Sequence, residues 1–186
     1  MVRMCTLLIL SAVASGCATY SVSTVKDQAD GSAVYRVDGF PTGYPLTSKT
    51  GAIYFQPQKK VPPNGTPEYG VQVEYRGNSR LFIERGETLE INIDGRSRRY
   101  SGKGSREGRE AGANDAVDAG AGTVSETAYY LVGIDELREL VRGNEIYATV
   151  KGKIIQVSGR FSAANKDAVS RFLAEYGDIP ASPLKQ

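Results

Sequence analysis

Between residues 70 and 100 the apolar side chains fall on every second position. Val71, Val73 and Tyr75 alternate with Gln72 and Glu74, Leu81 and Ile83 bracket Phe82, and Leu89, Ile91 and Ile93 alternate with Glu90 and Asn92. A repeat of two places each set on one face of an extended strand and scatters it around a helix. Turn-forming pairs separate the runs: Gly77-Asn78, Arg85-Gly86 and Asp94-Gly95. The last pair accommodates the left-handed backbone of a tight hairpin. The spacing therefore predicts a four-stranded antiparallel meander with one apolar face, its strands centred on 71–75, 80–84, 89–93 and 96–100.

The flanking sequence supplies further strands and two helices. Val34–Val37, Ala52–Phe55 and Thr123–Leu131 read as strands. Pro57, Pro62, Pro63 and Pro67 predict an extended loop without regular pairing across 56–67, because proline lacks the backbone donor. Asp135 is placed as an N-cap, Ile134, Leu137, Leu140 and Val141 form an apolar stripe, and Gly143 stands past its end. A hairpin of 145–150 and 153–160 turns at Lys151-Gly152. Ser162 then caps a second helix with Val169, Phe172, Leu173 and Tyr176 on one face, closed by Gly177. Segregated strands and helices define an α+β class, an antiparallel sheet with two helices packed on one face. Residues 101–122 hold six glycines and five alanines with Val117 as the one larger aliphatic, a composition expected of a flexible loop.

The first residues carry an address. Arg3 precedes an apolar run centred on Leu7, Leu8, Ile9 and Leu10, and small residues follow. This is the layout of a secretory signal peptide, shorter than the roughly 20 apolar residues of a membrane span. Ala14-Ser15-Gly16-Cys17 resembles the lipobox of bacterial lipoproteins, with Ala14 where that family usually has leucine. The resemblance covers the first 17 residues. It implies cleavage before Cys17, a diacylglycerol thioether on its sulfur and an N-acyl chain on the new amine. Ala18, which is not aspartate, implies the outer membrane, on its periplasmic side. The organisation expected is a signal peptide over 1–16, a lipidated tether over 17–33 with room for a short strand at Tyr20–Val25, a single domain over 34–177 and an extended tail over 178–186. With Cys5 removed and Cys17 blocked, neither disulfide nor thiolate metal site is expected, and no cofactor beyond the covalent lipid.

Composition narrows the chemistry. The chain contains no histidine, so imidazole is unavailable as base, metal ligand or neutral-pH switch. Lys and Arg number 23 against 21 Asp and Glu, a net charge of +2, too balanced for a nucleic-acid partner. The densest basic stretch is Arg96, Arg98, Arg99, Lys103, Arg106 and Arg109. It fits a solvated edge strand whose charges block edge-to-edge pairing, with contact with an anionic surface as the functional alternative. Ser23-Thr24-Val25-Lys26 and Lys49-Thr50-Gly51 match the SxxK and KTG spacings of penicillin-recognising enzymes without the SDN triad or the helix that chemistry needs. Glu84, Glu87, Glu90 and Asp94 would serve acid–base chemistry only if two of them faced one cleft. Tyr20, Tyr35, Tyr44 and Tyr54 suit either core packing or a contact surface.

Together these features lead to the expectation of a non-enzymatic, lipid-anchored envelope protein that binds other envelope proteins or scaffolds an assembly. A binding module for lipid, glycan or peptidoglycan is the alternative, and a serine or carboxylate hydrolase is the remote one.

Overall fold

Each ladder of the sheet is antiparallel, and one continuous path of nine strands carries most of the chain. The computed structural model describes residues 20–38, 46–48, 51–63, 65–107 and 124–177. Among them run β1 (Ser21–Lys26), β2 (Ala33–Asp38), β3 (Leu46–Ser48), β4 (Gly51–Val61), β5 (Glu68–Gly77), β6 (Arg85–Ile93), β7 (Arg96–Lys103), β8 (Arg106–Glu107) and β9 (Val124–Leu131). These are followed by α1 (Ile134–Arg142), β10 (Ile146–Lys151), β11 (Gln156–Arg160) and α2 (Ala163–Tyr176). The spatial order is β1-β2-β4-β5-β9-β7-β6-β10-β11, with β3 also on β4 and β8 also on β9. The class is α+β, as the segregated patterning implied. The loop expected over 101–122 begins as strand instead, with 101–103 ending β7 on β6 and Arg106–Glu107 forming β8 on β9. Cys17, the rest of that loop beyond Glu107 and the tail from 178 lie outside the described residues.

The meander is not what forms. β5 pairs with β4 and β9, β6 with β7 and β10, and residues 78–84 join no ladder. Leu81 and Ile83 are buried and Phe82 is exposed, as a strand would have them, but their amides bond elsewhere. Arg85-Gly86 lies inside β6, with the bend displaced to an irregularity between Glu87 and Leu89. That bulge aims the Thr88 hydroxyl at the buried phenol of Tyr130, 2.9 Å away. Asp94 and Gly95 have φ of 51° and 85°, the left-handed pair that a tight hairpin demands.

The proline-rich stretch is also a strand over much of its length, contrary to the expected loop. Ile53, Phe55, Pro57 and Lys59 alternate inward along β4. Pro57 is tolerated because β4 pairs with β3 at 51–53 and with β2 at 58–61. Between those blocks no described residue asks it for an amide proton on that side. The strand allowed at Tyr20–Val25 is present as β1, so part of the segment expected to be tether, Ser21–Lys26, belongs to the sheet.

One apolar cluster unites both helices with the sheet. Leu137 and Leu140 of α1, Val169 and Phe172 of α2, and Leu81, Leu89, Ile91 and Tyr130 belong to it. The sheet curls, so that β11 lies beside β3 and β4, and Phe161 meets Phe55 edge-on at 5.1 Å. α2 starts at the cap expected of Ser162, and Asn165 reciprocates it to complete a capping box. Its C-terminal carbonyls are held from the sheet. The Lys59 ammonium, on a residue 2% exposed, donates to Tyr176 O at 2.9 Å, and the Tyr69 hydroxyl donates to Tyr176 O and Gly177 O. A cation there complements the helix dipole. α1 is capped by Gly133 rather than Asp135. Asp135 lies one residue inside the helix and pairs with Arg138, because helical backbone already begins at Ile134. The last hairpin turns over Gly152–Ile155, a longer loop than the dipeptide read from sequence.

Two carboxylate clusters bind turns to neighbouring strands. Lys60 Nζ lies 2.8 Å from Asp27 Oδ2 and 2.7 Å from Asp30 Oδ2, clipping the β1–β2 turn to β4. Asp94 accepts the amides of Glu145 and Asn144. The Lys60 hydrogen bonds hold Asp27 and Asp30 below the ordinary carboxylate range, and the two backbone amides, Glu145 first, do the same for Asp94. Lowered folded values mean that the stabilisation is complete above the unfolded value of about 3.9 and is lost as pH falls through the folded values. Without histidine, urea midpoints are expected to stay level through neutral pH and to fall only in acid. Asp94→Asn is expected to shrink the loss between pH 7 and about pH 3, because one titrating contributor has gone. Identical losses in both proteins would refute this assignment.

Candidate functional site

The amides that leave the predicted meander converge on one carboxylate. Glu126 sits in β9 opposite Tyr75 of β5, at the inward parity shared by Ala128 and Tyr130, and is 6% exposed. Its Oε1 accepts the amides of Leu81 (2.6 Å) and Phe82 (3.0 Å), and its Oε2 accepts the amide of Ile83 (3.2 Å) and the Ser105 hydroxyl (3.1 Å). Hydrogen bonds to an ionised group are about twice as strong as neutral ones, which offsets burying the charge. The other side of the segment is held too. The Lys153 amide donates to the carbonyls of Leu81 (3.0 Å) and Phe82 (3.1 Å), the Ser105 amide to Ile83 O, and the Tyr75 hydroxyl to Ser79 O.

This clamp forces an outward residue. With Leu81 and Ile83 drawn into the core, Phe82 takes φ of 54° and leaves its ring 42% exposed. A left-handed non-glycine residue costs about 1–2 kcal/mol, and the clamp over-determines it. The Arg80 guanidinium stands 5.9 Å from the Phe82 ring centroid. Ile154, 70% exposed, belongs to the adjoining loop that Lys153 ties down. Beside this tip opens a cavity of about 340 Å³ lined by Arg80, Phe82, Glu84, Ser105, Ser125 and Lys153 among others. Chemically, Glu126 is committed to four donors and Ser105 donates into it. The groups left facing outward are an aromatic ring, an aliphatic side chain and charges of both signs.

The basic stretch is split by the pleat of β7. Arg98 shares the face of its partner Ile91 and reaches Glu139 of α1 at 3.0 Å and Glu136 at 3.7 Å. Arg99 pairs with Glu90 on the other face, 3.4 Å away, where Lys151 also binds Glu90 at 2.9 Å. Arg96 and Lys103 are exposed at opposite ends of β7, and the Arg106 backbone pairs with Thr127. Arg109, like Cys17, lies outside the described residues. The clustered carboxylates also separate: Glu84 borders the cavity, Glu90 serves Lys151 and Arg99, and Asp94 caps a turn. Ser23 and Lys26 lie in the extended β1 rather than at a helix start, and Lys49 and Thr50 fall outside the described residues. Tyr35 packs on the Tyr176 ring at 5.1 Å and Tyr54 under Arg76, so both serve internal contacts.

Glu126 and Phe82 were not singled out from sequence. The available signal was Glu126 at inward parity within Thr123–Leu131, a charge where the pattern calls for an apolar residue. Compared with known proteins, the chain matches no family model, no curated protein and no solved structure.

Proposed function

We propose that this chain is a bacterial envelope lipoprotein, anchored through acylated Cys17 to the outer membrane on its periplasmic side. In this reading it serves without catalysis as a protein-binding subunit of an envelope assembly, and the Phe82–Ile154 tip is where the partner docks. One observation carries the docking reading. Three backbone amides and a buried carboxylate are committed to holding an aromatic ring out in solvent at a strained φ. Aromatic residues beside arginine dominate binding energies at protein interfaces. Arg80 and Lys153 at the same tip favour a partner with an apolar cleft bordered by acidic groups.

Phe82→Asn is the test, since asparagine is at home in the left-handed region. Melting temperature is expected to hold or rise, while capture of the partner from crosslinked, detergent-solubilised envelopes drops about tenfold, as loss of one interface anchor of about 1.4 kcal/mol requires. Unchanged capture would overturn the assignment of the tip. The anchor is checked by fatty-acid labelling, which Cys17→Ser is expected to abolish.

The cavity supports a second reading, a site for a lipid, glycan or peptidoglycan fragment. About 340 Å³ falls at the lower end of the usual range for small-ligand sites. Thermal stabilisation by soluble muropeptides, lost in Phe82→Asn, would favour it over a protein partner.

A further inference from the structure

The first strand begins close behind the proposed point of acylation. Cys17 precedes Tyr20 by three residues, and Tyr20 is already packed against the core. Three residues span at most about 11 Å even when fully extended. Tyr20 is held by α2: the Arg171 guanidinium lies 5.9 Å from its ring centroid, and Glu175 stands near enough to act on its phenol electrostatically. The Tyr20 hydroxyl is buried without a hydrogen-bond partner among the described residues. A domain of this size has a radius of gyration of about 15 Å, longer than the leash. It can therefore pivot about Tyr20 but cannot turn that flank away from the membrane.

We infer that the flank made by the start of β1 and the Arg171–Glu175 side of α2 is the membrane-facing surface, its occupant the headgroup layer of the leaflet that holds the anchor. This rests on acylation of Cys17. It deepens the proposed function by fixing where a partner is met, within about 40 Å, one domain width, of that same leaflet. Tyr20 turns its hydroxyl inward and fastens the start of β1 to α2, so the leash ends on a fixed point of that flank. Arg171 is paired with Asp167 at 2.9 Å and exposed Glu175 adds a negative charge, so the flank is held at the headgroups by the leash rather than by charge attraction.

The test uses the acylated full-length protein in phosphatidylethanolamine/phosphatidylglycerol vesicles containing nitroxide-headgroup lipid. A fluorophore is placed on Ala174→Cys, exposed one turn from Arg171, or on Glu87→Cys, exposed on β6, six steps along the sheet path from β1. Emission from position 174 is expected to fall about twofold, because a leash of about 11 Å keeps it in quenching range, while position 87 stays bright. A twenty-residue Gly/Ser insertion between Thr19 and Tyr20, with an end-to-end distance of about 25 Å, is expected to restore emission at 174. Acylated protein that is unquenched at 174, quenched equally at 87, or insensitive to the insertion overturns the inference and leaves the anchor standing. A mature chain without acyl mass overturns both.

Discussion

Glu126→Ala is expected to cost about 4 kcal/mol in equilibrium urea unfolding, because each buried donor left without a partner costs about 1–3 kcal/mol. Three of those donors are backbone amides of consecutive residues, and the fourth is the Ser105 hydroxyl. The Ser105 hydroxyl can turn to the Ile83 carbonyl, 3.4 Å away, but the three amides have no other acceptor among the described residues. A loss of that size removes much of the 5–15 kcal/mol of a typical domain. Hydrogen exchange locates it: the amides of Leu81, Phe82 and Ile83 are expected to lose protection first, with β4 and β5 keeping theirs at low urea. Glu126→Gln is expected to fall between, about 2 kcal/mol, because its NH₂ must face at least one donor while its oxygen serves the rest. A cost below about 1 kcal/mol for the alanine variant would mean that water replaces the carboxylate and that the clamp does not position Phe82.

The reading from residues succeeded where local pattern and local structure coincide. Asp94-Gly95, the N-cap at Ser162 and the alternation of Leu89, Ile91 and Ile93 depend on neighbours within a few positions, and each is found. It failed where a distant residue supplies the missing half of a bond. Leu81-Phe82-Ile83 has the alternation of a strand, and no local feature distinguishes amides that seek a carbonyl ladder from amides that meet a glutamate 43–45 positions away. Pro57 misled for a related reason. Proline excludes a paired donor, and only the gap between β3 and β2 shows that none is asked of it. For the candidate site, the basic stretch attracted attention because its charges are close in sequence, yet the pleat sends Arg98 and Arg99 to separate acidic partners. The tip escaped notice because it joins residues from four distant segments, around 80–84, 105, 124–126 and 153.

Gly152→Ala is the second large effect expected, about 3 kcal/mol, the upper part of the range for forcing an atom into a filled space. A methyl at Gly152 would overlap the carbonyl oxygen and carbon of Leu81, backbone atoms that no rotamer change moves aside. The overlap falls on the segment that Glu126 holds from the opposite side, and the two substitutions are therefore expected to couple. In wild type the Leu81 carbonyl cannot retreat, because its neighbouring amides are bonded to the carboxylate. Once Glu126→Ala has released those amides, the segment can shift away from the new methyl, and the same Gly152→Ala change should cost about 1–2 kcal/mol less than it does alone, within the range seen for residues sharing partners. Partner capture should follow the clamp rather than global stability. Either single variant, assayed at a temperature where it remains folded, is expected to weaken capture as Phe82→Asn does, because Phe82 then leaves its left-handed pose and the ring is no longer held outward. Strict additivity of the two costs would mean that residues 80–84 do not move as one unit, and the exposed ring would then owe its position to its own loop rather than to Glu126.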